Sequence, residues 1–115
     1  MILLRIPQWH PARLNELMGG HWSRAHKLKK ASKQVVWAHS VSMPKAFVKR
    51  RLTIHIYLRP RQRAGDVDAY FKDACDALKS CGLIVDDSPK WLELMPVQYH
   101  REKEWWGTVF VLQNL

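Results

Sequence analysis

The sequence predicts a mixed α/β domain, a small mixed β-sheet of about four strands with two main helices laid against it. Three observations carry this. Arg51–Leu58, RLTIHIYL, alternates strictly between apolar and polar, the period of a half-buried strand. Segments 23–42 and 66–81 repeat apolar residues at helical spacing, and shorter extended segments stand at both ends of the chain. A length of 115 residues suits one domain spanning 1–115.

Taken in order, Ile2, Leu4 and Ile6 alternate and open the chain as a strand. The turn-rich stretch PQWHPARLNELMGGHW reads as a loop, long for so small a domain and for that reason a candidate for function. From Ser23, a capping residue type, to Ser42 the spacing predicts a helix with Leu28, Ala31, Val35 and Ala38 inward. His26, Lys29, Lys30 and Lys33 then form an outward cationic stripe, with Trp37 projecting among them. The strand 51–58 runs into RPRQRAG, where Arg59, Arg61 and Arg63 recur at every second residue. A second helix is expected from Asp66, its cap, to Cys81, with Val67, Phe71, Ala74, Leu78 and Cys81 inward and Gly82 ending it. Leu83–Val85 reads as a short extended return. Trp91–His100 and Trp105–Leu112 read as a terminal hairpin joined by REKE, with Pro96 marking an edge or bulge.

The formal net charge is +9, unevenly spread: residues 1–65 hold fourteen Lys or Arg against one acid, Glu16. Such a surface attracts polyanions, nucleic acid foremost. The opening MILLRIPQWHP lacks the basic start and cleavage site of an export signal, and no apolar run approaches the ~20 residues of a membrane span. Cys75 and Cys81 would lie ~9 Å apart along one helix axis, too far for a disulfide. They are read as free thiols of a reducing cytoplasm. The six histidines lack zinc spacing, which disfavours a zinc enzyme or deaminase.

Against this basic background, residues 65–87 gather six of the ten acids. Asp66 and Asp68 share the start of the second predicted helix, Lys72 follows one turn on, and Asp86 and Asp87 come after the return. Carboxylates that converge repel unless a hard dication sits between them, and Mg²⁺ is held by a few carboxylates, water and substrate phosphate. Five extended residues from Gly82 cover ~17 Å, enough to bring Asp87 level with about residue 71. A shorter return would require the second carboxylate cluster to come from a partner subunit. Each acid also has a structural explanation, as helix cap, i,i+4 partner of Lys72, or turn former. The residues alone leave open metal-dependent phosphodiester hydrolysis and a non-catalytic, basic nucleic-acid-binding or assembly module.

The string Asp66-Val67-Asp68, then Lys72, Asp76-Ala77-Leu78, Gly82 and Asp86-Asp87 resembles the signature of the RusA family of Holliday junction resolvases, small phage and prophage endodeoxyribonucleases. The likeness extends to the strand and arginine-rich loop before the signature and to the N-terminal strand, loop and basic helix. It departs at Ala69, where the family commonly has Asn, and at Pro89, where it often has Gln. The resemblance implies a single RusA-like endonuclease domain acting as a homodimer on four-way or other branched DNA. It implies catalysis by Asp66, Asp68, Lys72 and Asp87, with Mg²⁺, or Mn²⁺ as substitute, on Asp66, Asp68 and Asp87 and Asp86 as an accessory ligand or turn former. Arg59, Arg61, Arg63, Lys29, Lys30 and Lys33 are the expected contacts to the DNA backbone. No membrane partner and no small-molecule cofactor are expected.

Overall fold

Alternation decides the sheet. In the computed structural model, which describes residues 1–115, β1 (Ile2–Pro7), β2 (Arg50–Tyr57) and β5 (Gly107–Asn114) form its body. β2 buries every second side chain, placing Leu52, Ile54 and Ile56 in the core while Thr53, His55 and Tyr57 face outward. β5 lies between β1 and β2 and is antiparallel to both, pairing Ile54 with Phe110 and Leu4 with Phe110 across its two edges. β3 (Leu92–Leu94) and β4 (Gln98–His100) both run parallel to the far edge of β2. The sheet therefore has five strands but is four positions wide, in the order β1, β5, β2, then β3 and β4 on one edge.

That order corrects the expected hairpin. The segment 91–100 and β5 do not pair with each other, because β2 sits between them. The interruption at Met95–Val97 fits Pro96, which has no amide hydrogen for a ladder; the chain bulges there, and Met95 and Val97 donate to Leu52 and Val67 carbonyls. The 83–85 return joins no ladder, yet Leu83 and Ile84 are buried.

The helices α1 (Leu14–Met18), α2 (Trp22–Ser40) and α3 (Phe71–Ser80) complete the fold. α1 forms inside the expected loop, with Glu16 accepting from the Arg13 amide as in a capping box. α2 begins one residue early because His21, not Ser23, caps it, its Nδ1 accepting from the Ser23 amide. Its buried line is Ser32, Val36 and Ser40, so the inward face is turned from the expected one, and Ala31 and Ala38 are exposed. Two of these three residues are serines, polar enough to hide the stripe from an apolar count. α3 buries Ala74, Ala77 and Leu78 against the sheet and ends at Gly82. With φ +75° at Gly82, the Leu83 amide reaches the Leu78 carbonyl at 3.0 Å and the Gly82 amide that of Lys79 at 3.0 Å, the double closure that favours glycine at this position.

All the buried apolar side chains of the sheet face the helices, leaving the opposite face half-exposed. There His55 Nδ1 and His100 Nε2 lie 2.8 Å apart, with Tyr57 stacked on His100 at 4.6 Å. Such a contact requires one proton between two nitrogens, and protonating both rings sets like charges together. Burial, and then the neighbouring His100, lowers the His55 pKa below its usual 6.5. A base lowered by folding contributes stability above its unfolded pKa and loses it as the pH falls through the folded one. The part of the stability that His55 contributes, read by urea unfolding, is thus expected to be flat above about pH 6.5 and to decline below it. His55→Gln should flatten that decline, and superimposable profiles for the two proteins would exclude the pair as its cause.

Candidate active site

The first five residues of the predicted second helix, 66–70, are not helical. Residues 67–70 form turns, and α3 starts only at Phe71. The physical reason lies in the carbonyls. The Asp66 carbonyl accepts from the Tyr99 hydroxyl at 2.7 Å, that of Val67 from the Val97 amide at 3.0 Å, and that of Ala69 from the Leu14 amide at 2.9 Å. Oxygens drawn to neighbouring segments do not accept from the amides four residues on, so the helix cannot propagate back to Asp66. Asp66 is consequently not the cap; Tyr70 occupies that position.

The same contacts hold Asp66 and Asp68 on a fixed turn. Both are exposed and line a groove of about 570 Å³ whose other wall is α1, with Arg13 at its head and Leu14 and Met18 along it. Lys72, on the first turn of α3, is also exposed, and its Nζ lies 3.7 Å from Asp76. Asp87 is exposed past the return. A buried thiol reports where it sits: burial, then the charges of Asp87 and Asp76, push Cys75 up to about 12, while Lys72 pulls the other way. Lys72, Asp76 and Asp87 thus each stand near enough for their charges to reach the buried Cys75 thiol.

Pairing separates the acids into two kinds. Glu16, Asp76, Asp86 and Glu93 each lie within 4.0 Å of a Lys or Arg nitrogen. Asp86 is engaged most closely, 2.8 Å from Lys79, whose hydrogen bond holds its carboxyl down at about 2. Asp66, Asp68 and Asp87 have no such partner in a chain of net charge +9, and neither do Glu102 and Glu104 in the exposed turn before β5. Three exposed, acceptor-only carboxylates without a protein cation are the donor type a hard dication takes. Within one chain, however, no three acid, histidine or cysteine side chains are gathered closely enough to hold a metal ion.

The basic residues divide similarly. Lys30 and Lys33 are exposed on α2, but Lys29 turns toward α3 and lies 3.9 Å from Asp76, a consequence of the rotated inward face. Arg59, Arg61 and Arg63 are exposed on one loop, which is shaped by the Arg59 amide donating to Gln62 Oε1 at 2.9 Å and by a positive φ of 66° at Arg61. Arg101 braces that loop, donating to the Arg59 and Gln62 carbonyls. Neither Arg101 nor Arg13 stands in a motif, and only the folded backbone reveals them.

Asp73 is equally invisible in the sequence, where no motif or spacing marks it. It is 1% exposed, and its Oδ2 accepts from the Ser32 hydroxyl at 2.5 Å and the Ala12 amide at 2.7 Å, while Oδ1 is buried without a partner. It ties α3 to α2 and to the loop before α1. Burial raises its pKa, only partly opposed by those two hydrogen bonds. For an acid raised by folding, stability is present below the unfolded pKa and lost as pH rises through the folded one. Asp73→Asn, which keeps an oxygen for both donors but cannot ionise, is expected to gain stability relative to the parent as pH rises above about 4. A difference in stability that does not vary with pH would show that Asp73 is not the group titrating.

Compared with known proteins, the chain matches no family model and no curated sequence.

Proposed function

We propose that the protein is a Mg²⁺-dependent, structure-selective endodeoxyribonuclease that resolves four-way DNA junctions by symmetric phosphodiester hydrolysis in DNA recombination and repair, working as a homodimer. The observation that carries this reading is that Asp66, Asp68 and Asp87 remain exposed and unpaired in a strongly basic chain. The resemblance of the surrounding spacing to the RusA signature supports it. Mg²⁺ at these carboxylates would acidify a water and neutralise charge on the phosphate under attack. Lys72, as a point cation four residues after Asp68, would stabilise negative charge on the reacting phosphate. Arg59, Arg61, Arg63, Lys30 and Lys33 would position the backbone without reading sequence. Since one chain does not gather three of the acids, DNA binding or a partner subunit would bring Asp87 to the other two.

A second reading has a specific observation in its favour. The Lys72–Asp76 and Lys79–Asp86 pairs are what a non-catalytic nucleic-acid-binding or assembly module would use its acids for. Incubation with an end-labelled four-way junction, with and without Mg²⁺ or Mn²⁺, separates the two. The nuclease gives paired nicks in opposing strands only with metal; shifted but intact junction in every lane would leave the binding module.

A further inference from the structure

The loop before α1 is fastened residue by residue to four different parts of the fold. The Gln8 amide donates to the Trp106 carbonyl at 2.9 Å, and the Trp9 carbonyl accepts from the Thr108 hydroxyl at 2.8 Å. His10 Nε2 lies 2.9 Å from the Tyr57 carbonyl, and the Ala12 amide donates to Asp73 at 2.7 Å. Gln8 is held at φ +53°, a left-handed conformation that a non-glycine residue adopts only when its surroundings impose it. So many ties on an irregular segment describe a preformed wall.

That wall encloses a pocket of about 400 Å³, within the ~300–1,000 Å³ range of small-ligand sites. Its apolar lining is half aromatic, Trp9, Tyr70 and Trp106 beside Ala12, Leu28 and Ala31, with the His10 ring set edgewise against Trp106 at 5.1 Å. Uncharged hydrogen-bonding groups face the same space. Gln62 spends its oxygen on Arg59 and keeps its side-chain amide hydrogens uncommitted, and the side-chain carboxamide of Gln8 has no partner in the chain. Arg13 and Arg59 supply positive charge to the lining, offset in part by Glu16, which lines the same pocket 3.4 Å from Arg13 Nε, and Arg13 also heads the groove of Asp66 and Asp68. Aromatic surface, neutral amides and flanking guanidiniums match a planar heterocycle that carries a phosphate.

We propose that this pocket takes one unstacked nucleobase of the DNA, with the phosphate of that nucleotide between Arg13 and Arg59. The inference rests on the nuclease reading for its substrate and adds a subsite to it. A branch point provides bases freed from stacking at lower cost than a duplex does. Because Arg13 borders both cavities, the captured nucleotide lies beside the carboxylate groove and fixes which phosphate enters it.

The probe is 2-aminopurine deoxyriboside 5′-monophosphate, whose fluorescence falls when its base stacks on an aromatic ring. Titration with the protein is expected to quench it, deoxynucleoside monophosphates to reverse the quench, and inorganic phosphate to leave it. Trp106→Leu, Gln62→Ala and Arg13→Ala should each weaken binding about tenfold, while Lys79→Ala, on the far end of α3, should not. If Trp106→Leu does not fold by circular dichroism, the other two carry the comparison. Absence of quenching, displacement by phosphate alone, or indifference to the pocket variants would each overturn the proposal. Junction nicking by the parent protein is scored separately: nicking without quenching defeats this pocket alone, and quenching without nicking defeats the nuclease reading alone.

Discussion

Asp68→Asn is expected to bind a four-way junction at least as tightly as the parent and to cut it no faster than about one hundredth as fast. The substitution preserves shape and removes one negative charge. A lost carboxylate ligand weakens metal-borne stabilisation of the transition state, and about 3 kcal/mol of it corresponds to roughly a hundredfold in rate. Binding moves the other way, because DNA is a polyanion and the exposed acid repels it. Asp87→Asn should behave alike, although that residue lies beyond α3 and outside the groove shared by Asp66 and Asp68. Gel shift in EDTA and single-turnover nicking in Mg²⁺ measure the two quantities apart. Asp76→Asn is the control, since its carboxylate is already engaged with Lys29 and Lys72. Undiminished nicking by both the Asp68 and Asp87 variants would remove these residues from catalysis.

What could be read in the sequence was whatever local periodicity decides. β2 alternates in the chain and in space, and Gly82 ends α3 as its position demands. What could not be read depends on partners distant in the chain. The start of α3 moves from Asp66 to Phe71 because Leu14, Val97 and Tyr99 take carbonyls that a helix would need. The hairpin fails because β2 enters between two segments that are neighbours in sequence. At the site, the exposed acids were legible from their spacing, but the buried Asp73, and Arg13 between two cavities, were not. Their significance comes from Ser32, Ala12 and Arg59, none of which is close in sequence to the residue it serves.

The largest expected change in stability lies at Arg50. This residue starts β2, is 2% exposed, and faces the core side of the sheet without a carboxylate beside it. Its charge is met by neutral oxygens: Leu83 at 2.7 Å and Pro44 at 3.2 Å on Nη1, Lys45 at 3.2 Å on Nη2, and Asn114 Oδ1 at 2.9 Å on Nε. Burial accordingly lowers its pKa, yet a guanidinium remains charged across the working range of pH. Arg50→Met would fill much of the volume and strand the buried Leu83 carbonyl, at a cost of about 1–3 kcal/mol without a donor, while the part-exposed Pro44 and Lys45 carbonyls turn to water. A loss of roughly 2–3 kcal/mol is expected, a large part of the stability of so small a domain. Arg51→Met is the counterpart on the outer face. It breaks a pair with Glu93 at 3.1 Å in which both side chains are more than a third exposed, and should cost less than about 1 kcal/mol. Urea unfolding of the two variants reads the difference, and equal midpoints would mean that the Arg50 network is incidental. Because Leu83 opens the return that leads to Asp86 and Asp87, Arg50→Lys, with one nitrogen where the parent uses three, should lower the nicking rate in proportion to the carbonyls left unbound, even under conditions where it is fully folded.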